Sequence, residues 1–275
     1  MADQRERPSL DDMGKVCIVT GGSRGFGRGI ALILAKEHAC TVYATARDMG
    51  KLQALADEAM IECAKIGSEG KIVPYRLDQK DDAAVKAFVD DVAAKEGKID
   101  LLVNSAFQGL VAMTPQFGKT FWEKPLSMYE DQVNDFARFA YVMSYHVAPV
   151  MVKNKSGLIV GISSAGGAVY FADVAYCAGK AALRMAGQVL GLEAAEVPAL
   201  AGRDLAVVAY PPHVVATAMQ EAIRATSPEQ FPRRQKFALL HESGALVTPD
   251  GPAAEIAELL GSDGLPPFSE RRYEP

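Results

Sequence analysis

What most restricts this chain is its rhythm. Six short β-branched runs, KVCIVT (15–20), CTVYATA (40–46), KIVPYRL (71–77), IDLLV (99–103), GLIVGI (157–162) and DLAVVAY (204–210), are separated by longer Ala-rich stretches of helical period. Apolar runs too short for helices, each followed by an amphipathic segment, imply strands buried on both faces and joined by helical crossovers. Helices are predicted at about 26–37, 49–66, 80–96, 127–152 and 174–197, with a last one at about 252–260. The expected fold is therefore α/β, a single-domain doubly wound parallel sheet with right-handed connections. Residues 1–13 (MADQRERPSLDDM) read as a polar, disordered lead, 14–262 as the domain and 263–275 as a C-terminal tail.

Charge and cysteine usage narrow the partners. The 29 Lys and Arg form no basic block against 34 Asp and Glu, and the net charge is -5. That excludes nucleic acid and an anionic membrane surface as main partners and leaves small molecules. No run of 18 apolar residues occurs, so no membrane span is expected. Cys17, Cys40, Cys63 and Cys177 lack CxxC spacing and read as reduced, packed thiols, which suits a cytoplasmic location. His38, His146 and His241 show no ligand spacing, so no metal is expected.

In an open parallel sheet, ligands sit outside the carboxyl ends of the strands. The residues there are Gly21, Arg47, Asp78, Asn104, Ser163 and Pro211. The first end, TGGSRGFGRG, is a glycine turn between strand and helix, in which Gly21, Ser23, Arg24, Gly25, Phe26 and Gly27 would bring free N–H groups and a helix dipole to a phosphate. An acidic residue after the second strand would take the ribose 2′-hydroxyl of NAD; this chain has Arg47. With Arg24, it could bracket a 2′-phosphate, which favours NADP(H), unless both are solvated surface residues. Such a nucleotide-binding doubly wound sheet is a Rossmann fold.

The spacing Ser163-x12-Tyr176-x3-Lys180, with Asn134 in the preceding long helix, TGxxxGxG at 20–27, Asp78 and the NSA after the fourth strand together resemble the short-chain dehydrogenase/reductase superfamily over about residues 14–262. Within it, FWEKPLSMYEDQVNDFARFAYV and YCAGKAA are most similar to the dehydrogenase/reductase member-one subgroup. The chemistry agrees. Carbonyl reduction needs an acid at the developing alkoxide, and a phenol of pKa near 10 is too weak unless a cation lowers it. Tyr176 is thus the expected proton donor and acceptor, with Ser163 orienting the substrate oxygen. Lys180, one helical turn on, would lower the phenol's pKa and bind the nicotinamide ribose. The resemblance implies that Asn134 holds a water linking the lysine to solvent, that Asp78 contacts adenine, that Asn104 braces the central strands and that Thr217 touches the carboxamide. Asn134 could instead bend its helix, and Asp78 and Asn104 could be strand-end caps.

Three departures from that family stand out. Pro212 and His213 occupy its Pro-Gly turn, Ser105 and Phe107 replace Asn and Gly of NNAG, and nothing in GSDGLPPFSERRYEP looks like the family's seventh strand. Six strands are evident, and the seventh is expected to be missing. A loop at about 212–240 would cover the substrate. Phe117, Phe121, Trp122, Tyr170 and Phe171 would line its pocket or belong to the core. The predicted activity is NADP(H)-dependent transfer of hydride between nicotinamide and a hydrophobic ketone, aldehyde or quinone. The alternative, a catalytically silent nucleotide-binding regulator, would keep the glycine turn and Arg47 but commonly lose Ser163, Tyr176 or Lys180. The helices carrying Asn134 and Tyr176 have wide apolar faces, predicting a homodimer, with a tetramer excluded only if the seventh strand's surface is lost.

Overall fold

The computed structural model describes residues 14–107, 109–169, 173–196, 204–262 and 264–274. Seven parallel strands run in the order β3-β2-β1-β4-β5-β6-β7: β1 Val16–Thr20, β2 Thr41–Ala46, β3 Lys71–Arg76, β4 Leu101–Asn104, β5 Ser156–Ile162, β6 Asp204–Tyr210 and β7 Phe268–Glu270. The helices are α1 Gly25–His38, α2 Met49–Ile66, α3 Asp82–Glu96, α4 Leu110–Met113, α5 Ser127–Val133, α6 Phe139–Lys153, α7 Val174–Glu196, α8 Ala218–Arg224, α9 Arg234–Glu242 and α10 Asp250–Leu260. Period-two alternation places them in layers. Cys17 and Val19 of β1 point into a cluster with Ile30 and Leu34 of α1 and Ile256 of α10. Val16 and Ile18 point the other way, onto Phe88 of α3 and Met143 and Val147 of α6.

All six expected strands form, in parallel register. The seventh strand, expected to be missing, is present. It pairs Val207↔Phe268, Val208↔Ser269 and Ala209↔Glu270. Three residues with one large apolar side chain carry no alternation to read, and Pro266 and Pro267 beside them argue against a strand until an existing edge supplies the partner. Gly191 of α7 makes room for it, because a Cβ there would collide with the Pro267 carbonyl. The argument that a lost seventh strand removes a second subunit surface therefore falls.

A second correction concerns the long helix expected at 127–152. It is interrupted by a π turn, Asn134–Arg138, between α5 and α6. One residue more than the α pitch turns the helix face, and no hydrophobic count shows that. The lead 1–13, Tyr170 and Phe171 lie outside the described residues. All four cysteines are free thiols, and no described helix is long and apolar enough to cross a membrane.

Gly191→Val should lower stability by about 1–3 kcal/mol, the usual cost of overpacking, by pushing β7 off β6. Urea unfolding checks this; an unchanged midpoint would mean that β7 does not dock against α7.

Candidate active site

The connections after β1 and β4 leave the sheet in opposite directions, opening a crevice between them. The Thr20 hydroxyl stitches its floor: it accepts from Ser105 N at 3.0 Å and Ala106 N at 3.1 Å and donates to Val103 O at 3.3 Å. Gly21 takes φ 71, and a Cβ there would sit 2.8 Å from Ala106 Cα. A Cβ at Gly27 would meet Gly21 O at 2.6 Å, so the first turn of α1 is folded tightly onto the glycine turn.

That turn fits a phosphate. Asp48 caps α2 by accepting from Lys51 N, and Asp81 caps α3 by accepting from Ala84 N. In contrast, α1 starts at Arg24 with no side-chain cap and no acidic residue in its first turn. Its N–H groups and positive dipole end therefore remain available to an anion. The turn opens onto a cleft of about 740 Å³. Of the expected cofactor residues, Gly21, Ser23, Arg24, Gly25, Phe26, Gly27, Arg47, Asp78, Tyr176, Lys180 and Thr217 all line it. Arg47 is exposed and makes no ion pair among the described residues, and the Arg24 guanidinium makes a long 3.5 Å contact to Phe107 O. Lys51, absent from the sequence-based set, lines the same end. Asn104 does not line the cleft; its amide donates to Ser144 Oγ at 3.3 Å, bracing β4 against α6 rather than against a neighbouring strand.

Ser163 ends β5 and Tyr176 and Lys180 rise from the first turns of α7, and all three face the cleft. Asp173 places the tyrosine. Its carboxylate accepts from Tyr176 N at 2.8 Å and pairs with Lys124 Nζ at 3.8 Å, tying the start of α7 to the FWEKP segment. The phenol does not have the lowered pKa expected of it. Burial pushes it up to about 12, against a hydrogen bond with Ser164, and Lys180 is not among the groups that shift it. Instead the ammonium donates to Ile162 O at 2.6 Å and lies 3.8 Å from the centroid of the Phe136 ring. Its own burial drops it from the ordinary 10.5 to about 7.

Phe136 is the residue that sequence reasoning missed. Its ring stands edge-on to Tyr176 at 5.2 Å and stacks on Phe107 at 4.6 Å, so Phe107, in place of a family glycine, completes an aromatic box around the phenol. The π turn selects this arrangement. Asp135 and Phe136, not Asn134, reach the wall of a small cavity of about 10 Å³ beside Lys180, the room of one water. Asn134 lines neither that cavity nor the cleft. Gln79 and Asn104 also line the cavity, and both polar atoms of Gln79 and Asn104 Oδ1 are buried without a protein partner. The aromatics placed alternatively in pocket or core divide. Phe117 packs on Phe231, whereas Phe121 and Trp122 are 63% and 80% exposed and do neither.

Comparison with known proteins agrees with this geometry. The short chain dehydrogenase family profile matches residues 15–228. Dehydrogenase/reductase SDR family member 1 of Mus musculus is 42% identical over 170 residues, 62% of this chain and 52% of that protein. The chain thus spans about half the length of that relative. A 3-oxoacyl-(acyl-carrier-protein) reductase of Thermotoga maritima is 32% identical over 214 residues, covering 76% of this chain and 78% of its own. Among solved structures, a metagenomic short-chain oxidoreductase in complex with NADP superposes with a TM-score of 0.69 at 25% identity, covering 95% of this chain and 98% of its own.

The buried ammonium generates a prediction. Between about pH 7 and 10.5 the unfolded chain holds a proton on Lys180 that the folded chain does not, so wild-type stability rises with pH across that window. Lys180→Met should therefore raise stability by about 1–3 kcal/mol at pH 7, with a smaller gain at pH 9.5. Thermal unfolding of both proteins at the two pH values measures it, and a pH-independent difference would place the ammonium in water.

Proposed function

Because the chain belongs to the short-chain dehydrogenase family of oxidoreductases, we propose that it is an NADP(H)-dependent carbonyl reductase. The observation that carries this is the convergence of Ser163, Tyr176 and Lys180 on one cleft whose other end is an uncapped helix N-terminus beside Arg24 and Arg47. When bound, the nicotinamide cofactor supplies hydride to carbon or removes it. Everything else falls to the chain. Thr217 and Lys180 hold the nicotinamide end, while Arg24, Arg47 and Lys51 hold a 2′-phosphate, a charge-assisted contact that a hydroxyl cannot match.

Ser163 and Tyr176 bracket the substrate's carbonyl oxygen, and Tyr176 gives its proton to that oxygen as negative charge develops there. A phenol pushed up to about 12 keeps its proton near neutrality, so Tyr176 is present in the protonated form that reduction needs. Lys180, with a pKa near 7, exchanges protons at working pH, and the polar cavity formed with Gln79, Asn104 and Asp135 is the route by which the proton is replaced. Asn134 enters this route only if the helix reverts to α pitch.

The substrate is a hydrophobic ketone, aldehyde or quinone, received by Leu110, Val111, Val169 and Met219. We place the protein in the cytoplasm, with no nucleic-acid partner, as a homodimer through the exposed Tyr141, Tyr145, Met185, Val189 and Leu192 of α6 and α7. With β7 present, a tetramer stays open.

A carbonyl panel assayed with NADPH and with NADH at the nicotinamide absorbance tests the reading. Tight cofactor binding without turnover of any substrate would favour the silent regulator. Tyr176→Phe should cut kcat by at least about 100-fold, as loss of a general acid does, with NADPH affinity nearly intact. A mutant keeping most of its kcat would remove Tyr176 from the proton step. Arg47→Asp should weaken NADPH and improve NADH by repelling the 2′-phosphate. An unchanged ratio of the two kcat/KM values would locate the phosphate contact elsewhere.

A further inference from the structure

On the side formed by β6 and β7, the cleft has a second group of cations. His213 comes from the turn after β6, Lys236 from α9 and Arg272 from the segment following β7, and all three line the cleft. The C-terminal segment is fixed there by Arg271 N donating to Ala209 O at 3.1 Å and Tyr273 N to Pro211 O at 3.4 Å. His213 stands close enough to both cations to feel them: besides burial, the charges of Arg272 and Lys236 hold the imidazole below its ordinary pKa. Neither Lys236 nor Arg272 has an ion-pair partner among the described residues. The carboxylates lining the cleft are Asp48 and Asp78, beside β2 and β3 at the opposite end.

Converging unpaired cations is costly in the free protein and is offset when an anion binds among them. It is the more notable in a chain of net charge -5. His213 adds strain. Its φ of 65 lies in the region that favours glycine, and its Nδ1 is buried without a hydrogen-bond partner. Non-glycine residues held in that region cluster at ligand sites and switch regions. The same lining carries the apolar Val214, Met219, Ile223, Phe237 and Leu240, with Gln220 and Arg233 among them.

We propose that the substrate carries a carboxylate separated from its carbonyl by an apolar body, and that Lys236 and Arg272 bind that carboxylate beside His213. The inference rests on the carbonyl-reductase reading and deepens it. The carbonyl is held at Ser163 and Tyr176, the apolar body lies along α8 and α9, and the charged end sets the reach of the pocket. Charge-assisted bonds to the acid are lost with its ester, so the site discriminates between two ligands of nearly equal shape.

A matched pair, 4-benzoylbutyrate and its methyl ester, decides it, with the full chain and the double variant Lys236→Ala/Arg272→Ala under NADPH. The wild type should favour the acid in kcat/KM by about tenfold or more, through KM. The double variant should lose that preference while its kinetics on the ester and its NADPH dissociation constant, read by nicotinamide fluorescence, stay as in the wild type. Equal use of acid and ester by the wild type overturns the inference and leaves the reductase reading standing, and so does a preference that survives in the variant. A fall in NADPH affinity along with the preference would assign the cations to the cofactor and likewise overturns it. If neither ketone is reduced, the reductase reading is the part in trouble, and calorimetric titration of acid and ester into the NADP-saturated protein decides the inference by itself. Tighter binding of the acid that disappears in the variant supports it, and equal binding overturns it.

Discussion

The site depends on one topological constraint, the divergence of the chain after β1 and β4. Neighbouring parallel strands whose connections turn the same way leave no gap between them. Here one connection runs back over β2 and the other forward over β5, and the loops must part. The Thr20 hydroxyl holds the parting loops at a set separation by bonding three backbone groups of the β4 end. Gly21 and Gly27 then let α1 close onto that floor with its N–H groups facing the gap. Phosphate cradle and cleft are thus consequences of strand order before any catalytic side chain is considered.

Lys180 is a costly group to bury. A buried ammonium is destabilising unless its charge is met, and here a single carbonyl and an aromatic face meet it. The result is a lysine that gives up its proton near pH 7 beside a phenol that keeps its own until about 12. Burial favours the neutral form of each, and so has moved the two groups' proton affinities in opposite directions. Phe136 connects them: the same ring faces the ammonium and abuts the phenol. Its position follows from the π turn, so the backbone irregularity between α5 and α6 decides which side chains stand beside Lys180 and Tyr176.

The amino-acid sequence by itself determined the six longer strands, their parallel pairing and the strand-end residues, because buried β-branched runs and crossover helices leave few other arrangements. The meeting of Ser163, Tyr176 and Lys180 in one cleft was legible for the same reason: a fixed spacing along one helix and the end of one strand survives the details of packing. Tertiary structure alone decided the rest. The three-residue β7 exists only because β6 offers an open edge and Gly191 clears the space. The proton affinities of Tyr176 and Lys180 come from burial, which spacing does not encode, and they ran opposite to the expected electrostatic pairing for the tyrosine. The replacement of Asn134 by Asp135 and Phe136 at the cavity wall, and the meeting of His213, Lys236 and Arg272 from three distant segments, arise from contacts far apart in the chain. Such contacts are set by how the layers close, where the energies of many side chains are settled together rather than one period at a time.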